Sequence, residues 1–113
     1  MAFDWSSDIV IASLEDEPAL SDELTALCER LEKTEPGATP SVILNFSDVT
    51  YLNSSNIAQL LKIRRSLSDA GKAMRLCSIP DPVWSVMLLT GLDKVFDFAH
   101  DPATAIASIQ IDG

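Results

Sequence analysis

The sequence predicts an α/β fold, in which about four helices cover a single mixed sheet of four to five mostly parallel strands. From residue 41 onward, segments typical of strands alternate with segments typical of helices, and this alternation implies βαβ units. Within Ser41–Phe46, the residues Val42, Ile43, Leu44 and Phe46 form a near-continuous apolar run, as expected for a strand covered on both faces. The 113 residues, of which 47% are apolar, suffice for one core without a metal or a disulfide. Residues 1–113 are therefore expected to form one domain.

The N-terminal third predicts a strand followed by an amphipathic helix. β-branched residues are concentrated in Ile9–Leu14, which indicates a strand, and Ala2–Trp5 is a shorter candidate strand. A helix is expected after Pro18, because leucines then recur at the spacing of one helical face. These leucines are Leu20, Leu24, Leu27 and Leu31. Thr34–Pro40 contains two prolines and one glycine, so we expect a loop there.

The middle of the chain predicts a strand, a polar loop, a helix and a further strand. Ser41–Phe46 is the expected central strand, and the helix begins near Ser54 or Ser55, with one serine as its N-cap. The residues assigned to the apolar side of this helix are Ile57, Leu60, Leu61, Ile63, Arg64 and Leu67. Gly71 is the expected left-handed stop, and Lys72–Ile79 is the expected third strand.

The C-terminal third predicts two further helices and a short strand. Asp81 and Asp101 each precede a proline, and a capping residue followed by proline is typical of a helix start. Gly91 is expected to end the first of these helices. Val95–Phe98 is expected to be a short strand between them.

The charge balance argues against nucleic acid as a partner. The chain has 17 acidic and 8 basic residues, a net charge of −9, and such a field repels a polyanion. Cys28 and Cys77 lie in apolar runs without a metal-binding motif, so both are expected to be buried free thiols in a reducing compartment. The chain shows neither a signal peptide nor an apolar run long enough for membrane insertion, and we expect a cytoplasmic protein.

The adjacent serines Ser54 and Ser55 are the strongest candidate functional residues. Capping the helix explains one serine well and the second poorly. The alternative is that one hydroxyl accepts a phosphate, whose negative charge would meet unpaired N–H groups and the positive end of the helix dipole.

An enzymatic role for these serines has little support. A serine nucleophile needs a base, and His100, the only histidine, is expected in an exposed loop. No Gly-rich phosphate loop and no set of metal ligands is present, so no catalytic residue, cofactor or metal is predicted. The acidic run Glu15–Glu17 is expected to be a solvated helix start.

The residues from 41 to 110 resemble the STAS domain of bacterial anti-sigma factor antagonists. The family shows a strand and loop of the type LDLSGVTYIDSSG, followed later by LxLTGLDxVF. The corresponding runs in this chain are VTYLNSSN and LLTGLDKVF.

The resemblance implies a regulatory binding protein with a phosphorylated serine. In the family's Asp-Ser-Ser-Gly motif the second serine is the acceptor, which corresponds to Ser55, and the first, Ser54, is expected to cap or position the helix. The implied partner is an anti-sigma factor that is also a serine kinase, and phosphorylation breaks their complex. The protein is then expected to be a monomer or a weak dimer. The expected docking surface comprises Asn53, Ser54, Asn56 and Ile57, with Lys62 and Arg65 at its edge.

Two positions differ from the family motif and leave an alternative open. Asn53 replaces the aspartate before the serines, and Asn56 replaces the glycine after them. These differences are compatible with a divergent phosphorylation switch. The alternative is a STAS docking subunit of a transporter or scaffold complex that is not phosphorylated.

Overall fold

The computed structural model describes residues 8–112 and contains four strands and four α-helices. The strands are β1 (Ile9–Glu15), β2 (Ser41–Asp48), β3 (Met74–Cys77) and β4 (Phe98–Ala99). The α-helices are α1 (Ala19–Lys33), α2 (Ser54–Asp69), α3 (Asp81–Thr90) and α4 (Pro102–Asp112). Short 3₁₀ turns lie at Pro36–Ala38 and Leu92–Lys94. The predicted alternation of strands and helices is confirmed.

The four strands form one parallel sheet in the order β1-β2-β3-β4. A helix connects each strand to the next, as parallel pairing requires. The carboxyl ends of all four strands therefore lie at one edge of the sheet, and the loops that follow them are neighbours in space. The candidate strand Ala2–Trp5 lies outside the described residues.

The main core lies between one face of the sheet and helices α1, α2 and α3. The four predicted leucines of α1 are all buried in it. A smaller cluster on the other face packs Ala105 and Ile109 of α4 against Ile43 and Cys77. Cys28 and Cys77 are both buried free thiols, as predicted. On α2, Leu61 and Arg64 are exposed, so the apolar stripe of this helix is narrower than predicted.

The strands β3 and β4 are shorter than predicted because some of the residues assigned to them form hydrogen-bonded turns instead. The Lys72 N–H donates to the carbonyl of Leu67 and completes the end of α2, so the third strand begins only at Met74. This strand ends before Ser78, which has a left-handed φ of 56°. The Val95 N–H donates to Leu92 in a turn, and only Phe98–Ala99 pairs with β3.

The predicted helix ends are partly correct. Gly71 and Gly91 have φ values of 70° and 75°, the left-handed conformation expected after a helix. Asp101 caps α4, since its Oδ1 accepts a hydrogen bond from the Thr104 N–H at 2.7 Å. Asp81 is not a cap: α3 has Pro80 at the N-cap position and no side-chain cap hydrogen bond.

Candidate functional site

The candidate site lies at the carboxyl edge of the sheet, where the loop after β2 leads into α2. Ser54 and Ser55 are the first two residues of α2 and both are exposed. Neither hydroxyl forms a hydrogen bond with any other residue of the described chain. Two unpaired hydroxyls therefore project from the start of a helix into solvent.

The N-terminus of α2 is capped by asparagines, and the prediction that a serine caps it is wrong. The Asn56 N–H donates to Asn53 Oδ1 at 2.8 Å, and the Asn53 N–H donates to Asn56 Oδ1 at 3.0 Å. This reciprocal pair is a capping box, which more often has Glu or Gln at the second position. Asparagine and serine are about equally good caps, so local preference did not distinguish Asn53 from the adjacent serines.

Glu17, in the turn that precedes α1, forms hydrogen bonds with both capping asparagines. Its Oε2 accepts hydrogen bonds from Asn53 Nδ2 and Asn56 Nδ2, both at 3.3 Å. The Ser21 N–H donates to Glu17 Oε1 at 2.6 Å, and the Ser21 hydroxyl donates to Oε2. Hydrogen bonds from Ser21, and then those from the asparagines, lower the pKa of the Glu17 carboxyl from its usual 4.5.

Asn56 is 0% exposed, and both ends of its side-chain amide are used inside the protein. In this geometry Asn56 supports the site from beneath and is not available to a partner. The docking surface considered below therefore excludes it.

Asp16 fixes the loop that precedes α2. Its carboxylate accepts hydrogen bonds from the Thr50 N–H at 2.8 Å and from the Thr50 hydroxyl at 2.7 Å. The acidic run was expected to be a solvated helix start; Glu17 is exposed and Asp16 is partly exposed, and both also form hydrogen bonds with the loop before α2. The sequence held no signal for this role, because each carboxylate contacts residues more than 30 positions away.

Acid is expected to release the contact between Asp16 and Thr50. Hydrogen bonds from the Thr50 hydroxyl and then its amide lower the pKa of Asp16 from 3.8. A lowered folded-state pKa means that the contact stabilises fully above pH 3.8 and is lost as the pH falls through the folded-state value. We expect the Thr50 amide resonance to titrate below pH 3.8 in an NMR pH series. Asp16→Asn should abolish that titration, and an unchanged curve in this variant would contradict the assignment.

The remaining predicted site residues, Ile57, Lys62 and Arg65, all lie on α2. Ile57 is half-buried and packs against the main core. Lys62 forms an ion pair with Glu32 of α1 at 2.7 Å, and this hydrogen bond raises the pKa of Lys62. Arg65 is exposed. Tyr51, which the sequence analysis did not select, is 63% exposed in the loop just before the serines.

The described residues offer no obvious alternative chemistry. His100 is exposed in the loop after β4. No group of three His, Cys, Asp or Glu side chains between residues 8 and 112 is arranged to hold a metal ion. None of the helices in this range is both long and apolar enough to cross a bilayer.

Comparison with known families and with solved structures identifies the same kind of domain in both cases. The family model described as STAS domain matches residues 13–105. A search of curated proteins finds no significant match.

Three solved structures share the fold at low sequence identity. A candidate anti-sigma factor antagonist of Thermotoga maritima is 21% identical, with a TM-score of 0.79, covering 96% of this chain and 93% of that one. The Bacillus cell fate determinant SpoIIAA in its phosphorylated form is 19% identical, with a TM-score of 0.68 and coverages of 96% and 97%. A sulfate transporter family protein of Wolinella succinogenes is 20% identical, with a TM-score of 0.74 and coverages of 94% and 89%. At such identities the likeness establishes the fold alone.

Proposed function

The chain belongs to the STAS domain family, and from this premise we propose that it is a regulatory docking protein of the anti-sigma factor antagonist type. Its partner is an anti-sigma factor that is also a serine kinase, and the docking surface surrounds the N-terminus of α2. The protein acts in the cytoplasm, as a monomer or weak dimer, by binding and without catalysis.

The exposure of both serine hydroxyls is the observation that carries this proposal. Ser54 and Ser55 are exposed while the capping function is performed by Asn53 and Asn56. A residue that does not hold the helix together is free to be modified or contacted without unfolding the domain.

Phosphorylation of Ser55 is the proposed switch. A phosphate adds about −1.5 to −2 charges near neutral pH and turns a neutral contact surface strongly anionic. The Glu17 carboxylate already lies at the same helix end, so the added charge would act together with it on a partner. The effect is electrostatic and local, and the fold of the domain is retained.

The proposed docking surface combines the serines with neighbouring exposed groups. Tyr51 supplies a large aromatic side chain beside Ser54 and Ser55, and aromatic side chains are common at interface centres. Lys62 and Arg65 form its basic edge farther along α2. Lys62 is paired with Glu32, so Arg65 is the edge residue with more freedom to meet an acidic group of the partner.

An unphosphorylated docking subunit of a transporter or scaffold complex is the second candidate. The observation that favours it is the position of Glu17, whose carboxylate occupies the end of α2 where a phosphate would otherwise be stabilised. A carboxylate already present there reduces the electrostatic stabilisation that the helix dipole would give to a phosphoserine. The likeness to a sulfate transporter family protein is compatible with this candidate.

Phosphate incorporation separates the two candidates. The protein is incubated with ATP and each anti-sigma-type kinase of the source genome, and intact mass is measured for the wild type, Ser55→Ala and Ser54→Ala. We expect one phosphate on the wild type and on Ser54→Ala, and none on Ser55→Ala. Binding to a kinase without any phosphate gain would favour the unswitched subunit. If the protein neither binds any of these kinases nor gains a phosphate, the antagonist assignment is refuted.

A further inference from the structure

A cavity of about 160 Å³ lies at the amino end of β3, beside the second half of α2. It exists because β4 is short: this strand pairs with Leu76 and Cys77, whereas Met74 and Arg75 have no described strand on that side. Its walls include the apolar side chains of Leu67, Met74 and Phe96. The serines follow the carboxyl end of β2, so the cavity and the docking site lie at opposite edges of the parallel sheet.

Three of the eight basic residues in the chain line this cavity. They are Arg64, Lys72 and Arg75. In a protein with a net charge of −9, such convergence of cations on one small space is unusual. Like charges placed together raise the energy of the empty site, and an anion would relieve that repulsion.

Arg64 is held in place at the cavity. Its Nε donates a hydrogen bond to the carbonyl of Val95 at 3.0 Å, which orients the guanidinium plane. Its two terminal nitrogens have no hydrogen-bond partner among residues 8–112. A guanidinium oriented in this way offers a pair of parallel donors, the geometry that suits two oxygens of one oxyanion.

Arg75 contributes a buried positive charge to the wall. Its side chain is 11% exposed, with Nε donating to Ser108 Oγ at 3.0 Å and one terminal nitrogen donating to the Met74 carbonyl at 3.1 Å. Among the residues that the structure describes, Asp97 is the single carboxylate lining the cavity; it lies 3.6 Å from Arg75, and its side chain is 78% exposed. Three basic residues and one largely solvated carboxylate of the described chain thus line the cavity.

We propose that this cavity binds a phosphate group, either of inorganic phosphate or of a small phosphate monoester. Arg64 and Lys72 supply the direct donors, and Arg75 supplies charge from beneath. A single buried water needs at least roughly 10–15 Å³ of such space, so a cavity of about 160 Å³ has room for a tetrahedral oxyanion. The apolar wall favours a monoester, whose carbon atoms would contact Leu67 or Phe96.

Titration of the full chain tests the proposal. Inorganic phosphate is added at constant ionic strength, with chloride as the replaced anion, and binding is followed by NMR shifts of amides around residues 72–76. A parallel titration with glycerol 3-phosphate distinguishes the two sources: tighter binding than phosphate indicates an organic ester, and equal binding indicates the inorganic ion. We expect saturable shifts, and Arg64→Gln or Lys72→Gln should weaken binding by at least about tenfold.

Lys33→Gln is the matched control, because Lys33 is exposed at the end of α1 and its loss removes the same charge from outside the cavity. This control should bind phosphate within about twofold of the wild type, whereas Asp97→Asn should bind more tightly because the competing carboxylate is gone. Shifts that follow ionic strength alone, or equal weakening by Lys33→Gln and both cavity variants, would overturn the proposal. Retained folding is checked by thermal unfolding in chloride.

Discussion

Leu60→Ala is expected to lower the free energy of unfolding by about 2–5 kcal/mol, the range for truncating a fully buried leucine. Leu60 is 0% exposed and belongs to the main core beneath α2. Its loss leaves a cavity under the helix that carries the candidate site. Urea denaturation followed by circular dichroism measures the change.

Leu61→Ala is the matched control for this substitution. The two leucines are adjacent on the same helix and lose the same atoms, but Leu61 is 39% exposed. We therefore expect a loss below about 1 kcal/mol for Leu61→Ala, since little cavity forms at a partly solvated position. Equal losses in the two variants would show that α2 does not face the core as described.

Asn56→Ala is expected to lower the free energy of unfolding by about 1–3 kcal/mol, the cost of leaving buried hydrogen-bonding groups without partners. The substitution removes the acceptor of the Asn53 N–H and one donor to Glu17, both at the N-terminus of α2. The same denaturation measurement applies. We further expect increased hydrogen exchange of the first-turn amides of α2, because one half of the capping box is lost.

Ser54→Ala and Ser55→Ala are the controls for the cap. Their hydroxyls are exposed and make no hydrogen bond within the described residues, so each variant should stay within about 0.5 kcal/mol of the wild type. A serine variant that destabilised the protein as much as Asn56→Ala would mean that the serine, and not the asparagine pair, holds the helix end.

These expectations separate stability from regulation at the start of α2. The asparagines hold the backbone, whereas the serines present hydroxyls to solvent. The proposed phosphorylation of Ser55 therefore requires no change in the hydrogen bonds that cap the helix. The replacement of the family's Asp and Gly by Asn53 and Asn56 also acquires a physical meaning, since together these residues form the cap.

Helix α1 illustrates how much of the fold was predictable. Its leucine spacing of 4, 3 and 4 predicted a single buried face, and all four leucines are buried. Gly71 and Gly91 were recognised as helix stops because few other residues adopt a left-handed conformation without strain. In contrast, the ends of β3 and β4 depend on which backbone N–H groups are hydrogen-bonded within the neighbouring turns. The strand propensity of a short segment does not predict these hydrogen bonds.

The candidate site was predicted only in part. The prediction that α2 begins near Ser54 or Ser55 is confirmed, but local preference could not choose among three adjacent residues that all make good caps. Lys62 was assigned to the exposed edge of the docking surface, and it is exposed, but its charge is paired with Glu32 of another helix. Asp16 and Glu17 were missed because their partners follow β2, which lies beside β1 only in the folded sheet.

The sequence by itself determined the alternation of strands and helices, the buried face of α1 and the family to which the chain belongs. These properties depend on periodicity, turn residues and a local motif, each of which can be recognised within a short segment of the sequence. Only the tertiary structure decided which residue caps α2, which carboxylates support it and which cations share a cavity. The cap depends on competition between adjacent residues, and its supporting carboxylates depend on contacts across more than 30 positions of the chain. Arg64, Lys72 and Arg75 are close in the sequence, but only the folded chain places them around one cavity.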